Sequence, residues 1–276
     1  VHLFGSEIKI NIMTKTEREL AFLRDLYVDS DWTQRFTNLV DKHLVFANEK
    51  NFLYINAGTG NHALVLSKKF GKDTKFFATC ENKEILAIAR DKSSATKAGI
   101  DFSMRRFDDE TFESVLADAS FARPAELPRL VAEAARVTET GGRVAFFTVA
   151  AGSFGEVFSF LWEVLFNADL GEHGAAAEQM ISELPTVSQI EELAQSVGLK
   201  EVQAHVANET FEYENGQQFI NSPLVADFLL PVWLKTLSDK EKKQAATELA
   251  KLIDTEDGTM SFRFSVKAVL ITGTKG

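Results

Sequence analysis

Cysteine, proline and positive charge are all scarce in this chain, and no apolar run is long. Cys80 is the only cysteine in 276 residues, which excludes an intrachain disulfide and a thiolate cluster, so no metal is expected. No apolar stretch reaches the length of a membrane span and no signal peptide is visible, so a membrane partner is not expected and a cytoplasmic location is the simplest fit. Thirty Lys and Arg stand against forty Asp and Glu, a formal net charge of −10. Nucleic acid would be repelled by such a surface and is not expected as a partner. There is no internal repeat and no low-complexity linker. What the chain does have is apolar matter, 45% of residues, with 11% aromatic. That suffices for one large α/β domain with an added cap.

The organising stretch is Asn51 to Ser67, NFLYINAGTGNHALVLS. Phe52 to Ile55 is a short apolar run of aromatic and β-branched type, as in a strand buried on both faces. Ala63, Leu64 and Leu66 read as the first turns of a helix. Between them, Gly58 and Gly60 let the backbone turn sharply and let a ligand lie against bare main chain. Unpaired N–H groups in such a strand–turn–helix unit favour an anionic group there. A lone G-x-G also occurs in turns that bind nothing.

Before this stretch, Thr14 and Glu17 have capping-box spacing, with Leu20, Leu23 and Tyr27 following at helical intervals. A second helix is expected from Ser30 or Asp31, with Trp32, Phe36, Leu39, Val40 and Leu44 on one face. These helices close over a ligand or simply cover the sheet. Beyond the glycine turn, strands are expected over 74–80, 101–107, 114–119 and 143–149, and helices over 81–92 and 126–138. The alternation implies right-handed βαβ crossovers and a doubly wound, mostly parallel sheet. Ligands in such sheets lie beyond the carboxyl ends of the strands, where the glycine turn, Cys80-Glu81, Asp108 and Asp118 are expected to converge.

The later chain is expected to run through a helix over 154–166, a helix over 188–197, and a strand over 201–213. A helical stretch over 219–237 is broken by Pro223 and Pro231. A charged helix from 238 to 254 and an alternating strand over 260–272 end it. The aromatic stretch 154–166 reads as core packing, and 219–234 as a lid-like cap for an apolar acceptor. Their apolar surfaces also leave pairing as a homodimer open. The expected organisation is a single domain in three parts: an N-terminal helical cover over 1–47, a cofactor-binding half over 48–150, and a C-terminal half with the aromatic cap over 151–276.

YINAGTGNHALVL, CENKEILAIARDK, FDDETFESVLADASF and ELPRLVAEAARVTETGGRVAFFT together resemble the class I S-adenosylmethionine-dependent methyltransferases of the small-molecule, type 11-like kind. The last string resembles the family's helix, two-glycine turn and fifth strand. SQIEELAQSVGLKEVQAHV is similar to its next helix and sixth strand, and MSFRFSVKAVLITGTK to its antiparallel seventh. That ending separates the fold from nicotinamide-dependent dehydrogenases.

The resemblance implies S-adenosylmethionine as cofactor, S-adenosylhomocysteine as product, and methyl transfer to a small, hydrophobic or aromatic acceptor. It places the methionyl moiety against Asn56, Ala57, Gly58, Thr59 and Gly60. The ribose falls to Cys80 or Glu81, and the adenine to Asp108 with Asp118 or Ala119. The chain departs from the pattern in three places. The family usually has an acid at Asn56, a small residue at His62, and its ribose acid at Cys80, with Glu81 one place later. A second reading follows from those departures: a binding or scaffold protein that keeps the fold without the chemistry. No catalytic base is assigned. His62 and His205 read mainly as structural, His43 as a partner of a helix dipole, and Cys80 as a buried small residue.

Overall fold

Phe52, Leu53, Tyr54 and Ile55 are buried on both faces of a central strand, as their apolar run requires, and the sheet is laid out around it. The computed structural model describes residues 15–46, 49–256 and 261–276. Strands β1 (Asn51–Ile55), β2 (Lys75–Thr79), β3 (Ile100–Ser103), β4 (Phe112–Ala119) and β5 (Thr138–Ala150) run parallel. With β6 (Leu199–Tyr213) and β7 (Phe262–Lys275) they form a seven-stranded sheet of order β3-β2-β1-β4-β5-β7-β6. β7 is antiparallel to β5, with Arg143 opposite Thr274 and Ala150 opposite Lys267. This is the expected doubly wound sheet with an antiparallel last strand. Strand order reverses between β1 and β4, which opens a crevice at their carboxyl ends.

The N-terminal segment is one uninterrupted helix, not two. Helix α1 (Glu17–Leu23) passes into a π-helical segment, Arg24–Thr33, and then into α2 (Gln34–His43), with every junction residue in right-handed helical conformation. Its capping box is Thr16 with Glu19, two residues later than expected; Thr14 lies outside the described residues. The π segment closes i→i+5 bonds, so the buried face drifts from the 3.6 spacing. Leu20, Leu23 and Tyr27 were expected to share a face, yet Tyr27 is exposed, and the buried line runs Ala21, Arg24, Val28, Asp29, Trp32, Phe36.

Helices α3 (Asn61–Ser67), α4 (Lys83–Thr96) and α5 (Leu127–Val137) connect β1 to β2, β2 to β3 and β4 to β5. Asn82 caps α4 by accepting from the N–H groups of Glu84 and Ile85 at 3.0 and 2.9 Å. β3 stops at Ser103, not 107, and no helix joins it to β4. The fifth strand is longer than expected, since β5 begins at Thr138 and carries Gly141 and Gly142 within it.

The described chain forms two compact units. The first comprises Thr16–Ala151, Leu184–Glu209 and Lys267–Gly276. Its core is built from Leu53, Val115, Val131, Phe146, Val269 and Ile271, with Ile190 from helix α8, which is Val187–Ser196 and is numbered after α6 and α7 below. The second comprises Gly152–Glu183 and Thr210–Val266, with Lys15. It holds α6 (Gly155–Asn167), α7 (Gly174–Ser182), α9 (Gly216–Asn221), a π-helical turn Leu224–Leu229, α10 (Leu230–Trp233) and α11 (Asp239–Glu256). The aromatic stretches make this unit's own core: Trp233 packs on Phe154 and Phe158, each at 5.4 Å, and Phe219 on Phe262 at 4.9 Å. The stretch over 219–234, expected as a cap, therefore buries its rings at home. Among the described residues no helix is long and apolar enough to cross a membrane.

Candidate active site

The crevice is floored by three strand ends tied to one another. The Ala57 N–H donates to the Thr79 carbonyl at 2.8 Å, and the Cys80 N–H to the Ser103 carbonyl at 3.2 Å. Asn56 has φ +56°, in the left-handed region that asparagine tolerates better than most residues, and its Nδ2 donates to the Asp118 carbonyl at 3.3 Å. Asn56 thus links β1 to β4 at a turn position. Gly58 (φ +57°) and Gly60 (φ +87°) form the turn itself. At Gly60 a Cβ would stand 2.9 Å from the Phe102 ring, so only glycine lets α3 pack this close to β3.

At Gly58 the neighbour is Arg24, from the π segment. Its Nη2 lies 3.2 Å from where a Cβ would stand. The guanidinium is buried, its Nη1 is 2.8 Å from Glu81 Oε1, and it lies over the Phe121 ring at 5.2 Å. Burial alone would lower the Arg24 pKa, but the pull of Glu81, Asp118 and Asp29 outweighs it and raises the value. Glu81, one place after the position at which the family's ribose acid was expected, holds its partly exposed carboxylate on this guanidinium. Cys80 is buried, its thiol reaches the Gly58 carbonyl at 3.4 Å, and burial pushes its pKa up to about 12. It is a packed small residue beside the glycine turn.

Asp118 also faces the crevice. It is buried, accepts from the Ser120 N–H at 2.7 Å, and has its pKa raised to about 7, first by burial, with Arg24 pulling the other way. Its neighbour Ala119 points to the opposite face, as alternation in a strand demands, and belongs to the hydrophobic core. The Ala119 carbonyl accepts from Thr148 at 3.3 Å. Ala119 therefore offers the crevice no side chain.

Asp108 is misplaced by the early end of β3. The chain runs back from Ser103 to the amino end of β4, where the Glu110 and Thr111 N–H groups bond to the Arg136 and Val137 carbonyls beside the start of β5. Asp108 is exposed there, at the end of the sheet away from the glycine turn. What β3 presents to the carboxyl side is Ser103, whose buried hydroxyl has no hydrogen-bond partner.

Thr59, buried, turns its hydroxyl to the N-terminal helix, 2.6 Å from both Asp25 Oδ1 and Asp29 Oδ2. The hydroxyl has one proton to share between the two carboxyl groups; burial raises the Asp29 pKa, with Arg24 and the Thr59 hydrogen bond pulling it down. Asn61 and Lys92 complete the clamp, Lys92 on Asp25 and on Asn61 Oδ1 at 2.7 Å. His62 faces away: it meets the Tyr54 hydroxyl at 3.2 Å and Asp41 at 3.4 Å. His43 and His205 stack on each other at 4.0 Å.

Asn56, Ala57, Gly58, Thr59, Gly60, Cys80, Glu81 and Asp118 therefore come together, while Asp108 and Ala119 do not join them. Arg24, Asp29, Phe121 and Ser103 were missed. A signal for Arg24 existed: it is a charge on the line Ala21, Val28, Trp32, Phe36 that otherwise reads apolar.

The donor expected from the resemblance carries a carboxylate, an ammonium, a sulfonium, a ribose diol and adenine. The crevice has groups for them: a guanidinium with an unpartnered Nε–H, two inward acids, bare main chain at Gly58 and an orphan Ser103 hydroxyl. The residues fit, provided Arg24 yields the space beside Gly58.

Residues 53–146 match the family described as "Methyltransferase domain". No curated protein sequence matches the chain. Among solved structures, the YcgJ protein of Bacillus subtilis is similar at 18% identity, covering 88% of this chain and 98% of that one, with a TM-score of 0.57. A Bacillus halodurans C-125 protein described as a methyltransferase matches at 17%, over 88% and 99%, with a TM-score of 0.57. A Haemonchus contortus phosphoethanolamine N-methyltransferase, solved with S-adenosyl-L-methionine, matches at 14%, over 95% and 58%, with a TM-score of 0.56. Residues 53–146 thus match a methyltransferase domain, and the seven-stranded sheet that carries them has the fold of solved class I methyltransferases.

Proposed function

We propose that the crevice at Gly58 binds S-adenosylmethionine and that the protein transfers its methyl group to a small, apolar acceptor. The observation that carries this is the meeting of bare main chain at Gly58 with two inward carboxylates, Glu81 and Asp118, at the point where strand order reverses. When bound, the cofactor supplies a methyl group on an electron-poor sulfur. The chain's own part is to orient and to dry the site. Glu81 accepts from ribose hydroxyls, the glycine turn gives room for the tail, and the N-terminal helix keeps water out. Asp118, poised near neutrality by burial, is the group placed to take a proton where the acceptor must lose one. The acceptor class rests on resemblance. Cytoplasmic location and pairing as a homodimer remain parts of the same proposal.

One observation favours the second reading, a scaffold that has lost cofactor chemistry: Arg24 lies in the space beside Gly58 and holds Glu81. Thermal unfolding with S-adenosylmethionine, S-adenosylhomocysteine and NAD separates the two. At a hundredfold excess over Kd a bound ligand adds about 2.7 kcal/mol. That raises Tm by about 5–10 °C in a domain this size. Shifts with the first two ligands alone support the enzyme, whereas no shift with any of them supports the scaffold.

A further inference from the structure

A buried arginine ordinarily has each N–H satisfied. Arg24 is buried, yet among the described residues its Nε–H has no hydrogen-bond acceptor, Asp29 standing off at 3.7 Å. Its Nη1 is spent on Glu81, and its Nη2 stands against the main chain of Gly58. The same helix is clamped to the glycine turn one position further on, through Asp25 and Asp29 on Thr59, Asn61 and Lys92. Three acids, Glu81, Asp118 and Asp29, surround this one cation. A planar guanidinium with a free edge, set against bare main chain, is matched by a carboxylate that it can bind through two parallel bonds.

We propose that Arg24 is a placeholder for the amino-acid tail of the methyl donor: it pairs with Glu81 in the arrangement seen here, and exchanges Glu81 for the donor's α-carboxylate on binding. The exchange frees Glu81 for the ribose hydroxyls and leaves Asp118 to face the donor's positive charge. Arg24 is thereby a specificity residue, selecting nucleosides that carry an amino-acid tail. The inference rests on the crevice being the donor site.

Calorimetric titration with S-adenosylhomocysteine and with 5′-methylthioadenosine, which shares the nucleoside and thioether but has no tail, tests it. The wild type should bind the first ligand more tightly. Arg24→Ala should weaken the first about ten- to a hundredfold, the range for a charge-assisted hydrogen bond. It should leave the second unchanged or tighter, since Glu81 is released without an exchange. Arg24→Lys should restore part of the loss. Should the alanine variant fail to fold, Arg24→Gln keeps the length without the charge and serves the same comparison. Two results overturn the inference and leave the donor site standing: wild-type protein binding both ligands alike, or an alanine variant binding S-adenosylhomocysteine as well or better, which would make Arg24 a plug. Binding of neither ligand by the wild type overturns the donor site and the placeholder together.

Discussion

Gly58→Ala isolates the contribution of the bare main chain. The backbone there has φ +57°, and an L-residue in that region costs about 1–2 kcal/mol. The new methyl would meet Arg24 Nη2 at 3.2 Å, the flexible end of a side chain that can move aside, so steric cost to the fold is small. At about 2–4 °C per kcal/mol, Tm should fall by about 2–8 °C. Ligand binding should suffer more, because the methyl stands where the cofactor tail is to lie. Overpacking of about 1–3 kcal/mol corresponds to a loss of about 5- to 150-fold in affinity. Gly99→Ala is the matched control: φ is +70° and nothing lies within 4 Å of the added Cβ, so it shares the strain but not the site. Scanning calorimetry and titration with S-adenosylhomocysteine on both variants give the answer. Equal affinities for the two would refute contact between ligand and Gly58.

Asp118 should impose a pH dependence on stability. Its folded pKa, about 7, lies above the ordinary 3.8 because of burial, so stability present below about pH 4 is lost as pH rises through about 7. The loss is at most on the order of 4 kcal/mol. Asp118→Asn should flatten the profile of Tm between pH 4 and 8, and an unchanged slope would contradict the assignment. Cys80, with its thiol buried and its pKa pushed up to about 12, should resist iodoacetamide in the native protein and react after denaturation, as read by mass spectrometry. Rapid native labelling would mean that the glycine turn opens. Asp108→Ala should leave S-adenosylhomocysteine affinity within about twofold, as expected of an exposed surface site. Glu81→Gln should weaken it by about tenfold, through loss of a charge-assisted bond. Reversed effects would return Asp108 to the crevice.

The sheet was legible because its signals are local. Phe52 to Ile55 and Val144 to Val149 are apolar runs of a strand covered on both faces, and Phe76 to Thr79 is a short run that alternates buried and half-buried residues. Asn82 marks the start of α4 by its own hydrogen bonds. The N-terminal helix departs from expectation in which face is buried: Arg24, Val28, Asp29 and Trp32 lie inward and Tyr27 outward. Asp108 was misjudged because β3 was extended to 107. Four residues of strand put an acid at the right end of the sheet, whereas the true end at Ser103 sends it to the other. Asn56 and His62 were taken as faults in a binding motif. Asn56 holds β4 through a left-handed turn, and His62 packs on Tyr54, so neither side chain fills the space beside Gly58. The group that does so, Arg24, comes from 34 positions upstream; its charge on an otherwise apolar helical line marks it as inward, but nothing local says which turn it meets.

A crystal structure of the protein grown with saturating S-adenosylhomocysteine tests the central claim most directly. The predicted result is the ligand's tail against the Gly58 main chain, its ribose on Glu81, and the Arg24 guanidinium moved off Glu81. A crevice in which Arg24 still lies on Glu81 beside Gly58, with the ligand bound elsewhere or not at all, would contradict it.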